Sequence, residues 1–419
     1  MKICMLKSPK ILAITLTSAV LLTCGAALTA ADAQGKRDWA QWLGPNRDGV
    51  SSETGFLTTW PEGGPKRLWD KQVGIGYSSV SVANGKAYAV GNAKNQQNQD
   101  TDTLYCFDAE SGKEIWRFPY PCARTGGNGT EGPRCTPVVD GDRVYMESVE
   151  GELFCLTAEG GKKVWSKNVK EYGGASGTWG FAGSPLVMGK MLVIDAGTVL
   201  ALNKDTGKLI WSSQKYLPGY SSPVEFRMGP KACIATFPGT GLVILDPADG
   251  KELAQFPWKT EYDVNAVVPI ISGDKVFISS DYSRGCALVE VTAEGAKKVY
   301  ENKNVCAHFA SCILWKGYLY GFDGNVTAQG RFRCLDFQSG QVKWSRSGMG
   351  QLIIADGKMI VLYIDGELAL AEASPEGYKE LAKAKVLGGT CWTIPVLANG
   401  RLYCRNHEGD LVCLDMKGK

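Results

Sequence analysis

The chain has 419 residues, of which 44% are hydrophobic and 21% charged, so it can bury a large core. Its net charge is +3 at pH 7 and about +1 without residues 1–33, which excludes a nucleic-acid binder, since such a protein needs a strongly basic surface. Only two histidines are present, which argues against a His-based metal site, and we predict no metal site from the cysteines either.

Residues 1–33 have the features of a secretory signal peptide. Three lysines in the first ten residues precede an apolar run, and Ala31-Asp32-Ala33 provides a small-residue cleavage site. This pattern predicts an exported protein, periplasmic or secreted. Two alternatives remain open: lipid anchoring through Cys24, which follows Leu-Leu-Thr, and an uncleaved membrane anchor. No later stretch is long and apolar enough to span a bilayer.

Residues 34–64 follow as an N-terminal arm. The segment 39–55 is rich in Gly, Pro and Asn, which favours irregular structure. Residues 65–73 (PKRLWDKQV) then have the pattern of the last strand of a repeat unit, although no such unit precedes them.

A motif ending in Trp recurs along the rest of the chain. It reads CFDAESGKEIW at 106–116, CLTAEGGKKVW at 155–165, ALNKDTGKLIW at 201–211 and CLDFQSGQVKW at 334–344. Weaker copies occupy 244–254, 289–299 and 371–381. In every copy a Gly, which reaches φ > 0 without a Cβ clash, stands four residues before the Trp or its apolar replacement. Repetition at about 40–45 residues is typical of a propeller.

Counting the units predicts an all-β fold, an eight-bladed β-propeller of four-stranded antiparallel blades over residues 65–419. Eight strand–turn–strand units follow residue 73, many with Asn-Gly or Asp-Gly turns. The eighth, at 391–415, ends before its fourth strand. We therefore predict that the segment 65–73 supplies that strand and closes the ring, which ties the two termini together and leaves only short edges.

The repeat tryptophans are interpreted as structural residues that dock one blade on the next. Each occupies the same position of an outer strand and needs a neighbouring surface to cover it. They are Trp69, Trp116, Trp165, Trp211 and Trp344.

Candidate binding residues lie in the loops of one face. The loops between second and third strands and those between blades share this face in an up-and-down blade, and the longest insertions, 91–103 and 118–134 among them, belong to these loops. Long loops on a rigid scaffold concentrate binding residues. The candidates are Arg124, Arg134, Trp179, Tyr220, Asp263, Asn265, Asp281, Arg284, His308, Asp323 and Trp392.

Most of the fourteen cysteines are interpreted as small buried hydrophobes, because several repeat at one blade position. Cys122 and Cys135 flank a Gly-rich insertion and are the best candidates for a disulfide in an exported chain. The pairs 306/312 and 391/404 are weaker candidates.

The repeat resembles that of pyrroloquinoline-quinone-type (PQQ-like) propellers, whose blades carry A-x-D-x-x-T-G-K-x-x-W. The matches at 106–116, 201–211 and 334–344 carry this resemblance, and WLGPNRDGVSSETG (42–55) and GYSSVSVANGKAYAVG (76–91) are similar to exported quinoprotein-like propellers of planctomycetes. The resemblance covers about residues 39–419. It implies a relationship to quinoprotein dehydrogenases and to the outer-membrane assembly lipoprotein of Gram-negative bacteria.

The resemblance leaves two functions open. The favoured one is a binding or scaffold protein of the cell envelope, whose partner is an envelope protein or a small-molecule or carbohydrate ligand. The alternative is an alcohol-type dehydrogenase with pyrroloquinoline quinone and Ca²⁺. In that case Trp179 or Trp392 would stack the quinone, and oxygens from Asp263, Asn265, Asp281 and Asp323 would serve as metal ligands or base. The Cys-Cys pair of such dehydrogenases is absent from this sequence.

Overall fold

The computed structural model describes residue 1 and residues 37–124, 131–325 and 329–418. The predicted segment 1–33 therefore lies almost entirely outside the described residues. Eight blades of four antiparallel strands form a propeller, as the repeat count predicts, and within the described residues two 3-10 helices, Val169–Tyr172 and Glu261–Asp263, lie in connections between blades.

The strands are numbered in chain order, with the first, β1 (Val50–Ser51), in the N-terminal arm and β2 (Arg67–Gln72) just after it. Blade 1 consists of β3 (Ser81–Ala83), β4 (Lys86–Lys94), β5 (Asp100–Asp108) and β6 (Glu114–Pro121). Blade 2 consists of β7 (Val138–Asp140), β8 (Arg143–Glu147), β9 (Glu152–Thr157) and β10 (Lys163–Asn168). Blade 3 consists of β11 (Leu186–Met188), β12 (Met191–Asp195), β13 (Thr198–Asn203) and β14 (Leu209–Lys215).

Blade 4 consists of β15 (Val224–Met228), β16 (Lys231–Thr236), β17 (Gly241–Leu245) and β18 (Glu252–Pro257). Blade 5 consists of β19 (Ile270–Ser272), β20 (Lys275–Ser280), β21 (Gly285–Thr292) and β22 (Gly295–Asn302). Blade 6 consists of β23 (Ile313–Trp315), β24 (Tyr318–Asp323), β25 (Arg331–Asp336) and β26 (Val342–Ser347). Blade 7 consists of β27 (Gly350–Ala355), β28 (Lys358–Tyr363), β29 (Glu367–Glu372) and β30 (Glu380–Lys385), and blade 8 begins with β31 (Val396–Ala398), β32 (Arg401–Arg405) and β33 (Asp410–Asp415).

The eighth blade closes the ring as the sequence predicts. Strand β2 pairs antiparallel with β33, with Trp69 opposite Cys413. The fourth strand of this blade thus comes from the start of the propeller, so that opening the ring would require breaking a complete strand pair.

Five blades also touch the next blade through the tryptophan of their outer strand. The indole N–H of Trp69 donates to Ala109 O (3.3 Å), and that of Trp116 donates to Ala158 O (3.1 Å). Trp165, Trp211 and Trp344 make the same kind of bond to Lys204 O, Pro247 O and Ser374 O in the next blade.

A second set of inter-blade bonds connects blades 1 to 4 where their innermost strands begin. The backbone N–H of Ser79 donates to Thr136 Oγ1 (3.0 Å), that of Thr136 to Ser184 Oγ (2.9 Å), and that of Ser184 to Ser222 Oγ (2.8 Å). These residues precede the innermost strands of successive blades, in three cases as part of Ser-Pro or Thr-Pro. In each of these hydrogen bonds, a side-chain hydroxyl of one blade accepts the backbone N–H of the preceding blade.

Two expectations about the first blade and the cysteines are wrong. The insertion 91–103 is mostly strand, because the pairing of β4 with β5 continues from Gly91 opposite Thr103 to Lys94 opposite Asp100.

The predicted Cys122–Cys135 disulfide is absent, as are the pairs 306/312 and 391/404, since all twelve cysteines of the described residues carry free thiols. Cys135 Sγ instead accepts the backbone N–H of Glu147 (3.3 Å), and burial raises the pKa of this thiol to about 12.

In the part of the chain that the structure describes, no helix combines the length and apolar character needed to cross a membrane.

Candidate functional site

The N-terminal arm crosses one end of the central channel. Trp39 forms a bridge with Val82 of blade 1, and Ala40 O accepts the backbone N–H of Val139 in blade 2. Further along, β1 pairs in parallel with β27 of blade 7. The arm thus attaches to blades on both sides of the channel, although its composition predicts only irregular structure.

Arg47 fixes the middle of the arm. It is 4% exposed, and its guanidinium donates to Pro223 O (2.9 Å), Ser184 O (3.3 Å) and Pro185 O. Its acceptors are neutral carbonyls, and burial lowers the pKa of Arg47 to about 9. Since Ser184, Pro185 and Pro223 belong to blades 3 and 4, one buried cation connects the arm to two neighbouring blades.

Above this arm lies a cavity of about 290 Å³, which we call the funnel cavity. Trp42 of the arm lines it from the channel side, and seven of the eight connections that lead into a blade's first strand contribute to its wall. The lining consists of Trp42, Tyr77, Arg134, Trp179, Ala182, Ser184, Tyr220, Ser222, Val264, Ala266, Tyr282, His308, Phe309, Asn325 and Trp392.

Aromatic rings in mutual contact form one side of the wall. Tyr77 stacks on Trp392 (centroids 5.2 Å apart), which contacts Phe309 (5.2 Å). Phe309 meets His308 edge-on (5.2 Å), and His308 meets Tyr282 in the same way (5.4 Å). Each ring restricts the rotamer of the next, so this wall is formed before any ligand arrives.

The lining also holds a separate aromatic pair and a cation. Trp179 contacts Tyr220 edge-on, with centroids 5.7 Å apart. Arg134 lies over the ring of Tyr77 (5.7 Å to the centroid) and donates to Gly132 O (3.0 Å). Burial lowers the pKa of Arg134, and nearby Tyr77, Tyr220 and Glu131 act in the opposite direction.

The charge of the cavity is set by a short list of groups. Burial lowers the pKa of His308 to about 4, so the imidazole is neutral at pH 7. No Asp or Glu is among the described lining residues, and the internal segments 125–130 and 326–328 contain none in their sequence. Arg134 is therefore the one charged side chain among the described residues that line the cavity.

In the wall near blades 6–8, and directly behind it at Gln351, buried polar atoms find no hydrogen-bond partner among the described protein atoms. They are Nδ1 of His308, Nε1 of Trp392 and Oε1 of Gln351. Gln351 is 2% exposed, and its Nε2 donates to the backbone O of Trp392 (3.0 Å). Buried polar atoms are normally satisfied, so this wall keeps unused hydrogen-bonding capacity.

The structure brings some sequence-predicted candidates together and separates others. The five that line the cavity are Arg134, Trp179, Tyr220, His308 and Trp392. They come from five different connections between blades, and so their proximity depends on the closed ring.

Three of the remaining candidates are held in ion pairs or cation–π contacts outside the cavity. Arg124 pairs with Asp100 (3.0 Å) and also donates to Asn92 Oδ1 (2.9 Å). Arg284 lies 3.4 Å from the ring centroid of Trp258 and pairs with Glu301 (2.8 Å). Asp323 pairs with Arg333 (3.0 Å).

The other three carry oxygens that the alternative function would use as ligands. Asn265 is fully buried. Its Nδ2 donates hydrogen bonds to Pro238 O and Trp258 O, and its Oδ1 accepts one from the hydroxyl of Ser280. Asp281 is 8% exposed, and desolvation raises its pKa. Asp263 ends a 3-10 helix beside Gly239. None of them lines the cavity.

Several lining residues escape prediction from the sequence. Trp42 lies in the arm, which carries no repeat pattern to place it in the channel. Tyr282 and Phe309 directly follow the candidates Asp281 and His308, and a search for aromatic residues in the same loops would have found them.

The cavity does not fit the calcium–quinone pair of the alternative function. Calcium needs six to eight oxygen ligands, usually with carboxylates among them. The described lining offers the amide of Asn325, hydroxyls and no carboxylate. Across the described residues, moreover, no group of three or more His, Cys, Asp or Glu side chains could hold a metal ion.

Comparison with known sequences gives relatives that include assembly factors and dehydrogenases. The family model described as outer membrane protein assembly factor BamB matches residues 100–346, more than half of the chain. The outer membrane protein assembly factor BamB of Burkholderia pseudomallei is 27% identical over 299 residues, which is 68% of this chain and 61% of that protein. Quinohemoprotein alcohol dehydrogenase ADH IIB of Pseudomonas putida is 31% identical over 118 residues, which is 25% of this chain and 16% of that enzyme. The chain thus spans less than two thirds of the length of these relatives.

Solved structures share the fold. The quinohemoprotein alcohol dehydrogenase from Comamonas testosteroni superposes with a TM-score of 0.69 at 14% identity, covering 94% of this chain and 83% of that one. At this identity the likeness extends to the propeller architecture, and the chemistry has to be argued from the cavity itself.

Proposed function

Because the chain belongs to the family of the outer membrane protein assembly factor BamB, we propose that it is an exported binding protein of the cell envelope. Its funnel-side face, centred on the cavity, holds a partner, and the protein acts as a scaffold without catalysing a reaction. The observation that carries this proposal is a preformed aromatic cavity whose described lining contains one cation and no carboxylate.

The composition of the cavity supports binding. Trp, Tyr and Arg are the residues that dominate binding energy at protein interfaces, and Trp42, Trp179, Trp392 and Arg134 line one concave surface here. A rigid wall saves the entropy that a flexible surface would lose on binding. By contrast, a general base for alcohol oxidation would have to be a group near the substrate, and the described lining has no carboxylate for that role.

The dehydrogenase remains the second candidate, because a quinohemoprotein alcohol dehydrogenase is among the relatives in sequence and another shares the propeller fold. It would require pyrroloquinoline quinone and Ca²⁺, for which the described cavity lacks a carboxylate ligand.

Export depends on the predicted signal segment 1–33. The N-terminal sequence of the protein recovered from the envelope would test cleavage after Ala33 or lipid attachment at Cys24.

Site-specific photo-crosslinking in the native envelope tests the binding role. A photoreactive amino acid replaces Tyr262, which is 63% exposed in the loop between blades 4 and 5, and in a control replaces Lys316 in the first turn of blade 6, on the opposite face. We expect a discrete crosslinked species from position 262 and none from 316. Equal crosslinking from both positions, or turnover of alcohols by purified protein supplied with the quinone and Ca²⁺, would contradict the proposal.

A further inference from the structure

We propose that the funnel cavity binds a single aromatic ring that carries, or lies next to, one carboxylate group. This inference rests on the proposed binding function and names the chemistry that the site recognises. The shared chemistry has two sources, a free aromatic acid or a peptide segment in which an aromatic residue adjoins an acidic one.

The size of the cavity limits the ligand. Sites for drug-sized molecules and cofactors enclose roughly 300–1,000 Å³. At about 290 Å³ the funnel cavity lies at the lower end of that range, and Trp42 lines it from the channel side. A group of about one side chain therefore fits better than a large fused cofactor.

The lining favours an aromatic group. Rings come from the arm and from several blades, and Tyr77, Trp392, Phe309 and His308 are held in contact with one another. Aromatic pairs gain about 0.5–1.5 kcal/mol beyond their area burial when they stack or meet edge-on. A ring entering the cavity can make such contacts with the wall without reorganising it.

The charge of the lining favours one negative group. Arg134 is the one charged side chain among the described lining residues. Burial disfavours its charged form, and nearby Tyr77, Tyr220 and Glu131 offset only part of this effect. A carboxylate close to the guanidinium would offset this desolvation, whereas an ammonium group would be repelled. Charge-assisted hydrogen bonds of this kind are stronger than neutral ones. A ligand with several carboxylates would leave the others without a cation in the described lining.

Calorimetric titration of the full-length protein tests the inference with N-acetyl-L-phenylalanine, its uncharged amide, and the peptide acetyl-Gly-Phe-Asp-Gly-amide. We expect the acid to bind about tenfold more tightly than the amide. Arg134→Gln should remove this preference for the acid over the amide. Arg284→Gln, which removes a guanidinium that contacts Trp258 outside the cavity, is the matched control and should keep the preference. Trp179→Leu should weaken both small probes several-fold.

The relative affinities then identify the source. Tighter binding of the peptide than of the acid indicates a protein partner, the reverse order indicates a free aromatic acid, and both orders support the shared chemistry. Equal affinity of acid and amide, or no heat signal at millimolar probe with folded protein, overturns the inference. Saturable binding of the quinone with Ca²⁺ that competes with the acid overturns it in favour of a cofactor site. If crosslinking from position 262 persists while the acid fails to bind, only this inference falls.

Discussion

Glu147 is a buried carboxyl at the end of β8. It is 1% exposed, and neither of its side-chain oxygens has a hydrogen-bond partner among the described protein atoms. Desolvation, with a smaller contribution from Asp195, raises its pKa well above the usual value of 4.5. In the folded protein the group is therefore neutral under conditions in which the unfolded chain carries a carboxylate.

This shift predicts how stability depends on pH. Above pH 4.5 the unfolded state loses the Glu147 proton while the folded state keeps it, so the stability contributed by this group falls as pH rises. Glu147→Gln cannot ionise, and we expect its stability relative to the wild type to increase steadily between pH 5 and pH 8. Urea denaturation across this range measures the effect.

Asp195→Asn provides the comparison. The pKa of Asp195 in the folded protein is raised to about 6, mainly by desolvation. The stability of Asp195→Asn relative to the wild type should therefore increase with pH only up to about pH 6. Parallel pH profiles for wild type and Glu147→Gln would show that Glu147 is not buried in neutral form.

At the scale of the structural element, one glycine in each of four repeats serves two purposes. Gly112 has φ +69°, as the turn requires, and it also receives the tryptophan of the preceding blade, since a Cβ at this position would lie 2.6 Å from Trp69 Cγ. Gly161 meets Trp116, Gly207 meets Trp165 and Gly250 meets Trp211 in the same way. The spacing of the motif thus reflects turn geometry within a blade and packing between blades.

A pair of substitutions separates the two contributions. Gly85→Ala strains only the backbone, because Gly85 has φ +73° and nothing lies within 4 Å of its Cβ position, and we expect a loss of about 1 kcal/mol. Gly112→Ala adds the displacement of Trp69, for which we expect a further ~1–3 kcal/mol. Chemical denaturation measures both losses, and equal losses would mean that Trp69 adapts to the added methyl group without cost.

The difference between these elements explains how far the sequence predicts the structure. Turn chemistry and the Gly–Trp spacing act locally and repeat, so the motif at 106–116 predicts both the hairpin and the blade count. The arm does not repeat, and its position depends on Arg47 reaching carbonyls 137–176 residues away. Likewise, His308 and Trp392 are recognisable as loop residues, but only the closed ring brings them into one cavity with Trp42.

At the scale of the whole molecule, Arg405 of β32 secures the seam between blade 8 and blade 1. It is 1% exposed and donates to Val90 O (2.7 Å), Ser78 O (2.9 Å) and Gly74 O (3.1 Å), all in or before the first blade. No carboxylate is among these acceptors, and burial lowers the pKa of Arg405 to about 10. The two ends of the chain are therefore joined by strand pairing and also by one desolvated cation.

Loss of this cation should weaken the ring at its closure. Arg405→Met would leave three carbonyls buried without their donor, and at ~1–3 kcal/mol for each unsatisfied group we expect a loss of about 3 kcal/mol or more. Arg405→Lys keeps a charge but supplies a single nitrogen, so an intermediate loss is expected. Hydrogen exchange locates the effect. Amides of β2 and β33 should lose protection first, whereas uniform loss over all blades would show that the seam is no weaker than the other blade contacts and that the propeller unfolds as one unit.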